Sequence, residues 1–161
     1  MRRFATLLLI PLAASLLSAS PSFAQSEKVR LSGLGDVSFG SLGYGGDVIS
    51  AQSLCAFSSM RSAGYTIVPI GDGANGELIL RSGSNLLDFD VLWSPLASQT
   101  NGDQLVAMRM SQAYTTDAQH HRCMNGPSST ASLIIRIRSQ DISAARAGVY
   151  SGSLTLILGP V

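Results

Sequence analysis

Apolar and polar residues alternate along most of this chain with a period of two, and the closing segment 150–158 shows the pattern most clearly. One side of that segment carries Tyr150, Gly152, Leu154, Leu156 and Leu158. A period of two indicates a strand that is half buried in a sheet, and Gly159-Pro160 ends it. A strand in this position needs a partner to satisfy its backbone, so the identity of that partner bears on function.

The same alternation predicts further strands upstream, separated by turn residues such as Asn75-Gly76 and Asn101-Gly102. The predicted strands are 28–34, 36–42, 48–57, 64–70, 77–81, 87–93, 104–110, 131–138 and 150–158. Residues 141–146 fit a single helical turn. Short strands spaced in this way favour an antiparallel β-sandwich or a small barrel, and the chain shows no repeat, linker or second domain.

The first 24 residues have the features of a secretory signal peptide. Arg2 and Arg3 are followed by an apolar run, 4–17, and Ser22-Phe23-Ala24 places small residues where a signal peptidase reads. The alternative is an uncleaved anchor, although the run is short for a membrane span. We therefore expect residues 25–161 to form an exported domain without a transmembrane span, in the periplasm, at the cell surface or outside the cell.

Charge and composition exclude one class of partner and support the strand prediction. Removal of Arg2 and Arg3 leaves 9 basic and 10 acidic residues, a net charge of −1. Without a basic patch for phosphate backbones, nucleic acid is not an expected partner. A low charged fraction with abundant Gly, Ser and Thr suits strands and tight turns.

Cys55 and Cys123 are the only cysteines in the sequence. Two cysteines in an exported protein usually pair because the compartment is oxidising, so we predict a Cys55–Cys123 disulfide. The rival interpretation is an isolated thiol nucleophile beside the nearby histidines.

Two groups of residues resemble sites without meeting their requirements. His120, His121 and Cys123 could suit zinc or copper, but they are three ligands in one loop, and an oxidised cysteine cannot ligate as thiolate. Asp88 and Asp90 alternate with apolar residues and are expected to face solvent on one strand. We therefore predict no catalytic residue, no metal site and no cofactor, and we place Trp93 in the core.

Several short motifs resemble the spore coat protein U-like domain, the subunit fold of archaic chaperone–usher pili. Val37-Ser-Phe-Gly-Ser-Leu42 is similar to its "FG-x-Y" opening, and Leu87-Asp-Phe-Asp-Val-Leu92 to its "L-x-Y-x-L" strand. The strand that carries Cys55 and the following Tyr65 and Gly71 match its next landmarks. Ala147-Gly-Val-Tyr-Ser-Gly-Ser-Leu-Thr-Leu-Ile-Leu158 resembles its closing segment, which is the most specific of these matches.

The resemblance implies an immunoglobulin-like sandwich that lacks one strand and accepts a strand from another protein. Its implied partners are a periplasmic chaperone, an outer-membrane usher and other pilus subunits. Backbone hydrogen bonds would give affinity, and alternate side chains would set the register. In this interpretation Val29 and Leu31 are donor plugs, whereas Leu154, Leu156 and Leu158 line the acceptor side.

Two departures from the family pattern leave alternatives open. No cysteine lies in 32–38, ahead of Phe39-Gly40, and only residues 25–35 precede that opening, where a donor strand and a first domain strand would both have to fit. One segment serves both roles, or the protein accepts a strand without donating one, or the sandwich is complete. The alternative function is a self-complete module that binds a carbohydrate or a protein, and a third is an envelope enzyme that uses His120 or His121.

Overall fold

The computed structural model describes residues 27–43, 45–62 and 64–161. The predicted signal peptide, 1–24, lies outside the described residues. The described residues include no helix with the length and hydrophobicity needed to cross a bilayer.

The described chain consists of strands joined by turns, with one short helix. The strands are β1 Val29–Ser32, β2 Val48–Ser58, β3 Tyr65–Gly71, β4 Ile79–Ser82, β5 Asn85–Asp88, β6 Asp90–Ser94, β7 Asp103–Leu105, β8 Ala131–Ile137 and β9 Leu154–Pro160, and the helix is α1 Ser139–Ala144. Every strand pair is antiparallel. The predicted all-β sandwich architecture is thereby confirmed.

One layer is a five-stranded sheet with the order β1-β2-β8-β6-β7. The long strand β2 connects two neighbours: its second half pairs with β1, as in Ser32 opposite Cys55, and its first half pairs with β8, as in Val48 opposite Ile137. Because β1 stops at Ser32, the edge of β2 from Val48 to Leu54 that faces away from β8 has no strand beside it.

The other layer consists of the pairs β3-β9 and β4-β5. Between the layers lies a single large core built from alternate residues of β2, β3, β6 and β8, as the period of two requires. Trp93 is fully buried there, as predicted. Its indole N–H donates to the Tyr65 hydroxyl at 3.2 Å, which satisfies the one polar atom that it takes into the core.

The strand order corresponds to an immunoglobulin-like sandwich in which one position is empty. In the constant-type fold, strands A, B, E and D form one sheet and C, F and G the other. Here β1, β2, β8 and β6 take the positions of A, B, E and D, and β3 and β9 take those of C and F. No described segment pairs with β9 at the position of G.

Several predicted strands differ from the structure because strand pairing is not a local property. The predicted strand 87–93 is divided at Phe89, where the chain leaves its pairing with β4 and joins β8 as β6. The predicted strand 36–42 is not a strand: it has no strand partner, and Gly40 within it has a φ of 62°. The predicted strand 104–110 ends at Leu105, and the closing strand begins at Leu154 rather than at Tyr150.

The expectation that Asp90 faces solvent is wrong, whereas Asp88 is exposed as predicted. Asp90 points to the outer face of the sheet, but the side chain of Arg136 on β8 pairs with it at 2.8 Å and that of Arg138 approaches to 3.6 Å. Residues 95–102 cover the same face beside it, through bonds such as that from the Gln99 N–H to the Ser132 hydroxyl. Because this outer face is covered, the alternation of polar and apolar residues does not predict the exposure of Asp90 correctly.

Candidate functional site

The candidate site is built around an unpaired strand edge. β9 pairs with β3 along its whole length, from Gly71 opposite Leu154 to Tyr65 opposite Pro160. Some of its Cα atoms lie within 8 Å of β1, but in the described chain β9 pairs with no strand other than β3. A row of backbone N–H and C=O groups on β9 is therefore open to a further strand.

The segment 34–42 lines the same cavity as β9. Its side chains alternate, with Val37 and Phe39 half buried and Ser38 and Gly40 exposed. Among the described residues, no backbone–backbone hydrogen bond joins this segment to β2 or to β9. The segment is not a regular strand, since Gly40 has a φ of 62° and the chain bends at Ser41, and within the described chain it has no strand partner.

One side chain replaces strand pairing along this segment. The Gln52 amide on β2 accepts from the Gly35 N–H at 2.9 Å and donates to the Gly35 carbonyl at 3.2 Å. A primary amide can imitate a backbone peptide in this way because it offers one acceptor and two donors. The segment is thereby held beside β2 while its other edge stays free.

Between the segment 34–42 and β9 lies a cavity of about 1030 Å³, which we call the acceptor groove. Its floor is apolar and comes from both layers of the sandwich: Leu80, Leu87, Phe89, Leu133, Ile135, Ile137 and Ile142. Its walls add Val37, Phe39 and Leu42 on one side and Tyr150, Leu154 and Leu156 on the other. Only Asp36 and Arg146 among the lining residues carry a charge.

The β9 wall is extended upstream by contacts with the β4-β5 hairpin. Arg81 and Ser151 exchange two backbone hydrogen bonds, of 2.8 and 3.0 Å. Gly152 follows at a close approach, since a Cβ there would lie 2.9 Å from the Ile79 carbonyl oxygen. A glycine at this position lets the chain lie directly against the β4-β5 hairpin before it pairs with β3 as β9.

A carboxylate fixes the point where this wall becomes β9. Asp72, in the turn after β3, accepts from the Ser153 N–H at 2.6 Å and from the Ser153 hydroxyl at 2.5 Å. These bonds, with a smaller contribution from the charge of Arg81, lower the pKa of the exposed Asp72 carboxyl group. The ionised form therefore orders the start of β9.

The three leucines of β9 predicted as acceptor residues differ in position, and their acceptor role stays a prediction. Leu154 and Leu156 are half buried and line the acceptor groove, whereas Leu158 packs against the core beyond it. Val29 and Leu31 are half buried on β1, paired with Ser58 and Ala56 of their own chain. A donor role for these two residues stays a prediction, and it would require β1 to leave this sheet.

Sequence reasoning did not identify Phe39 and Ile142 as groove residues. The alternation of Val37 and Phe39 gave the signal of a strand, but not the information that this strand would form the opposite wall. Ile142, 8% exposed on α1, closes the groove floor. Its position depends on the ion pair of Arg138 with Asp141 and on the bond from the Ser139 N–H to Asp47, neither of which the pattern predicts.

The predicted disulfide between Cys55 and Cys123 is present, with the two Cα atoms 5.8 Å apart. It lies in a small separate cluster with Ala118 and Phe57, and neither cysteine lines the groove. Both sulfurs are therefore committed and unavailable as thiolate ligands. Within the described ranges, no three His, Cys, Asp or Glu side chains are grouped to hold a metal ion.

Comparison with known proteins does not assign the chain to a group. No family model matches it, and no curated protein matches it at a significant level.

Proposed function

We propose that this protein is an exported structural subunit that accepts an extended strand from another polypeptide in the acceptor groove. One observation carries the proposal: the segment 34–42, which has no strand partner, and the edge of β9 that faces away from β3 flank an apolar cavity where an immunoglobulin-like sandwich has its G strand. An inserted strand could form backbone hydrogen bonds with one or both walls and place alternate side chains on the groove floor.

The expected occupant is a strand with apolar residues at every second position and little charge on its buried face. The floor consists of Leu, Ile and Phe side chains, so a charged residue that faced it would be desolvated without a partner. The resemblance of the motifs to pilus subunits supports the same interpretation, with a chaperone, an usher and other subunits as partners. The chain would meet these partners in the periplasm or at the cell surface, to which the predicted signal peptide would direct it.

The alternative of a self-complete binding module has less support. A sugar site usually presents aromatic rings to solvent, whereas Tyr65, Trp93 and Tyr114 stack together in the core. Val37 and Phe39 do fill part of the groove from within the chain. They leave a cavity of about 1030 Å³ beside them, which a complete sandwich would not contain.

Site-specific photocrosslinking in the native host tests the proposal. A photoreactive amino acid replaces Leu156, which faces the groove, and in a matched control it replaces Thr155, which is exposed on the other face of β9. We expect the probe at position 156 to capture one extended segment of another polypeptide with alternate apolar residues, and the probe at 155 to miss it. Crosslinks from position 156 to the same chain alone would contradict strand acceptance.

A further inference from the structure

The loop that carries the second cysteine places four cationic or titratable side chains together: Arg30, His120, His121 and Arg122, called here the cationic cluster. The two imidazole rings are stacked, with their centroids 4.1 Å apart and their planes inclined by 37°. Partial desolvation, followed by the charges of His120, Arg30 and Arg122, lowers the pKa of His121. Arg30 lies on β1 two residues before Ser32, on the same face, and the Ser32 hydroxyl contacts the His121 carbonyl, so β1 and the loop bring these basic groups to one surface.

None of the ion pairs found in the described part of the chain includes a residue of this cluster. The ion pairs found there join Arg136 and Arg138 to Asp90 and Asp141, on the outer face of the large sheet. Close cations without a counter-charge repel one another, and the repulsion grows as the histidines take up protons. An anion bound among them would relieve that repulsion.

The backbone holds the cluster in place before any ligand arrives. The Cys123 N–H donates to the His120 carbonyl at 2.8 Å, and the Ser32 hydroxyl donates to the His121 carbonyl at 3.4 Å. The disulfide fastens the end of the loop to β2. A preformed arrangement reduces the ordering cost of binding.

The ring of His120 is also oriented. The Arg122 N–H donates to its Nδ1 at 3.2 Å, which assigns the proton of the neutral ring to Nε2. The opposite edge of the imidazole is thus a hydrogen-bond donor. Arg30 and Arg122 add planar guanidinium groups, which are suited to phosphate and sulfate oxygens.

We propose that the cationic cluster is a binding site for a multiply charged oxyanion, with phosphate or sulfate groups presented on one ligand. None of its residues lines the acceptor groove, so the site stands independently of strand acceptance. Binding favours the protonated form of His121, and by linkage each proton taken up with the ligand strengthens binding by up to about tenfold per pH unit between the pKa of the bound form and that of the free form. The affinity should therefore rise as the pH falls from 7.5 to 5.5.

The test uses two probes, pyrophosphate as a free anion and heparin as a sulfated polymer, with affinities measured by calorimetry on the mature chain at both pH values. We expect Arg30→Gln and Arg122→Gln each to weaken binding about tenfold, the effect of one lost charge-assisted hydrogen bond. The matched control is Arg109→Gln, which removes the same charge from an exposed position outside the cluster and should leave the affinity unchanged. Circular dichroism checks that each variant folds.

A second variant, His120→Gln with His121→Gln, should still bind at pH 7.5 but lose the gain at pH 5.5. Binding of pyrophosphate alone identifies a small free anion, and binding of heparin alone a polymeric one; either result supports the site. The proposal is overturned if neither probe binds, if Arg109→Gln weakens binding as much as Arg122→Gln does, or if the pH dependence survives the loss of both histidines.

Discussion

The carboxylate of Asp72 accepts two hydrogen bonds from Ser153, a residue 81 positions later in the sequence, and so ties the turn after β3 to the start of β9. The residues just upstream, 146–152, belong to no strand, so strand pairing does not hold that part of the groove wall in place. The wall on which strand acceptance depends is thus held by a polar contact at the surface as well as by apolar packing.

We expect Asp72→Asn to destabilise the domain at neutral pH. The folded state lowers the pKa of this carboxyl group, so its contribution to stability is present above the unfolded value, about 3.9, and is lost as the pH falls through the folded value. Chemical denaturation at pH 7 and pH 3 measures the effect, and the variant should differ from the parent more at pH 7. Asp88→Asn, at an exposed position on β5, is the control, and an equal loss in both variants would contradict the role of the contact.

Asp90 makes a different prediction because it is buried. Asp90→Ala leaves Arg136, whose side chain is only 28% exposed, without its partner, and should lower the free energy of unfolding by about 3 kcal/mol. Replacing both residues, as Asp90→Leu with Arg136→Met, should recover part of that loss because no uncompensated charge remains. A double variant that is less stable than Asp90→Ala would show that the ion pair is not the cause.

The disulfide should contribute to stability without shaping the groove. Replacing both Cys55 and Cys123 by Ala opens a loop with a sequence separation of 68 and should cost about 4 kcal/mol by the chain-entropy argument. Thermal unfolding of the variant and of the reduced parent measures the loss. Since neither cysteine lines the groove, strand binding below the unfolding temperature should persist; its loss would mean that the bridge also positions the walls.

Much of this architecture could be predicted from local pattern, and the rest depends on contacts between distant residues. The alternation around Leu154 and the pair Cys55–Cys123 were sufficient for the β class and the disulfide. Asp90 was misplaced because the side chains of Arg136 and Gln104, on the two neighbouring strands, bind its carboxylate and cover it, which no periodicity within β6 reveals. The segment 36–42 was read as a strand, but its lack of a partner follows from where β1 ends beside β2.

Within the candidate site, the half-buried leucines of β9 could be predicted because their alternation is regular. The floor residues could not, since Leu87, Leu133 and Ile142 come from three separate elements that meet only in the folded domain. The contact between Asp72 and Ser153 was equally hidden, because nothing in a turn sequence indicates which distant residue it will bind.

A polar substitution on β9 should separate strand acceptance from folding. Leu156→Asp places a carboxylate in the groove, where an inserted strand would bury it, and should abolish acceptance because a buried unpaired charge is costly. Ile157→Asp is the matched control, since Ile157 is 51% exposed on the opposite face of the same strand. Assembly in the native host, followed by crosslinking from Phe39, is the measurement, and equal assembly of both variants would contradict the assignment of the groove face.

Amide hydrogen exchange tests most directly whether the acceptor groove is open to a further strand. In the mature chain alone, the backbone amides of residues 36–42 and those of β9 that point away from β3 should exchange rapidly, while the amides of β8 stay protected. When a donated strand is bound, amides along the two walls of the acceptor groove should become protected. Strong protection of the same amides in the isolated chain would show that these backbone groups are already hydrogen-bonded within the chain, and would contradict the account.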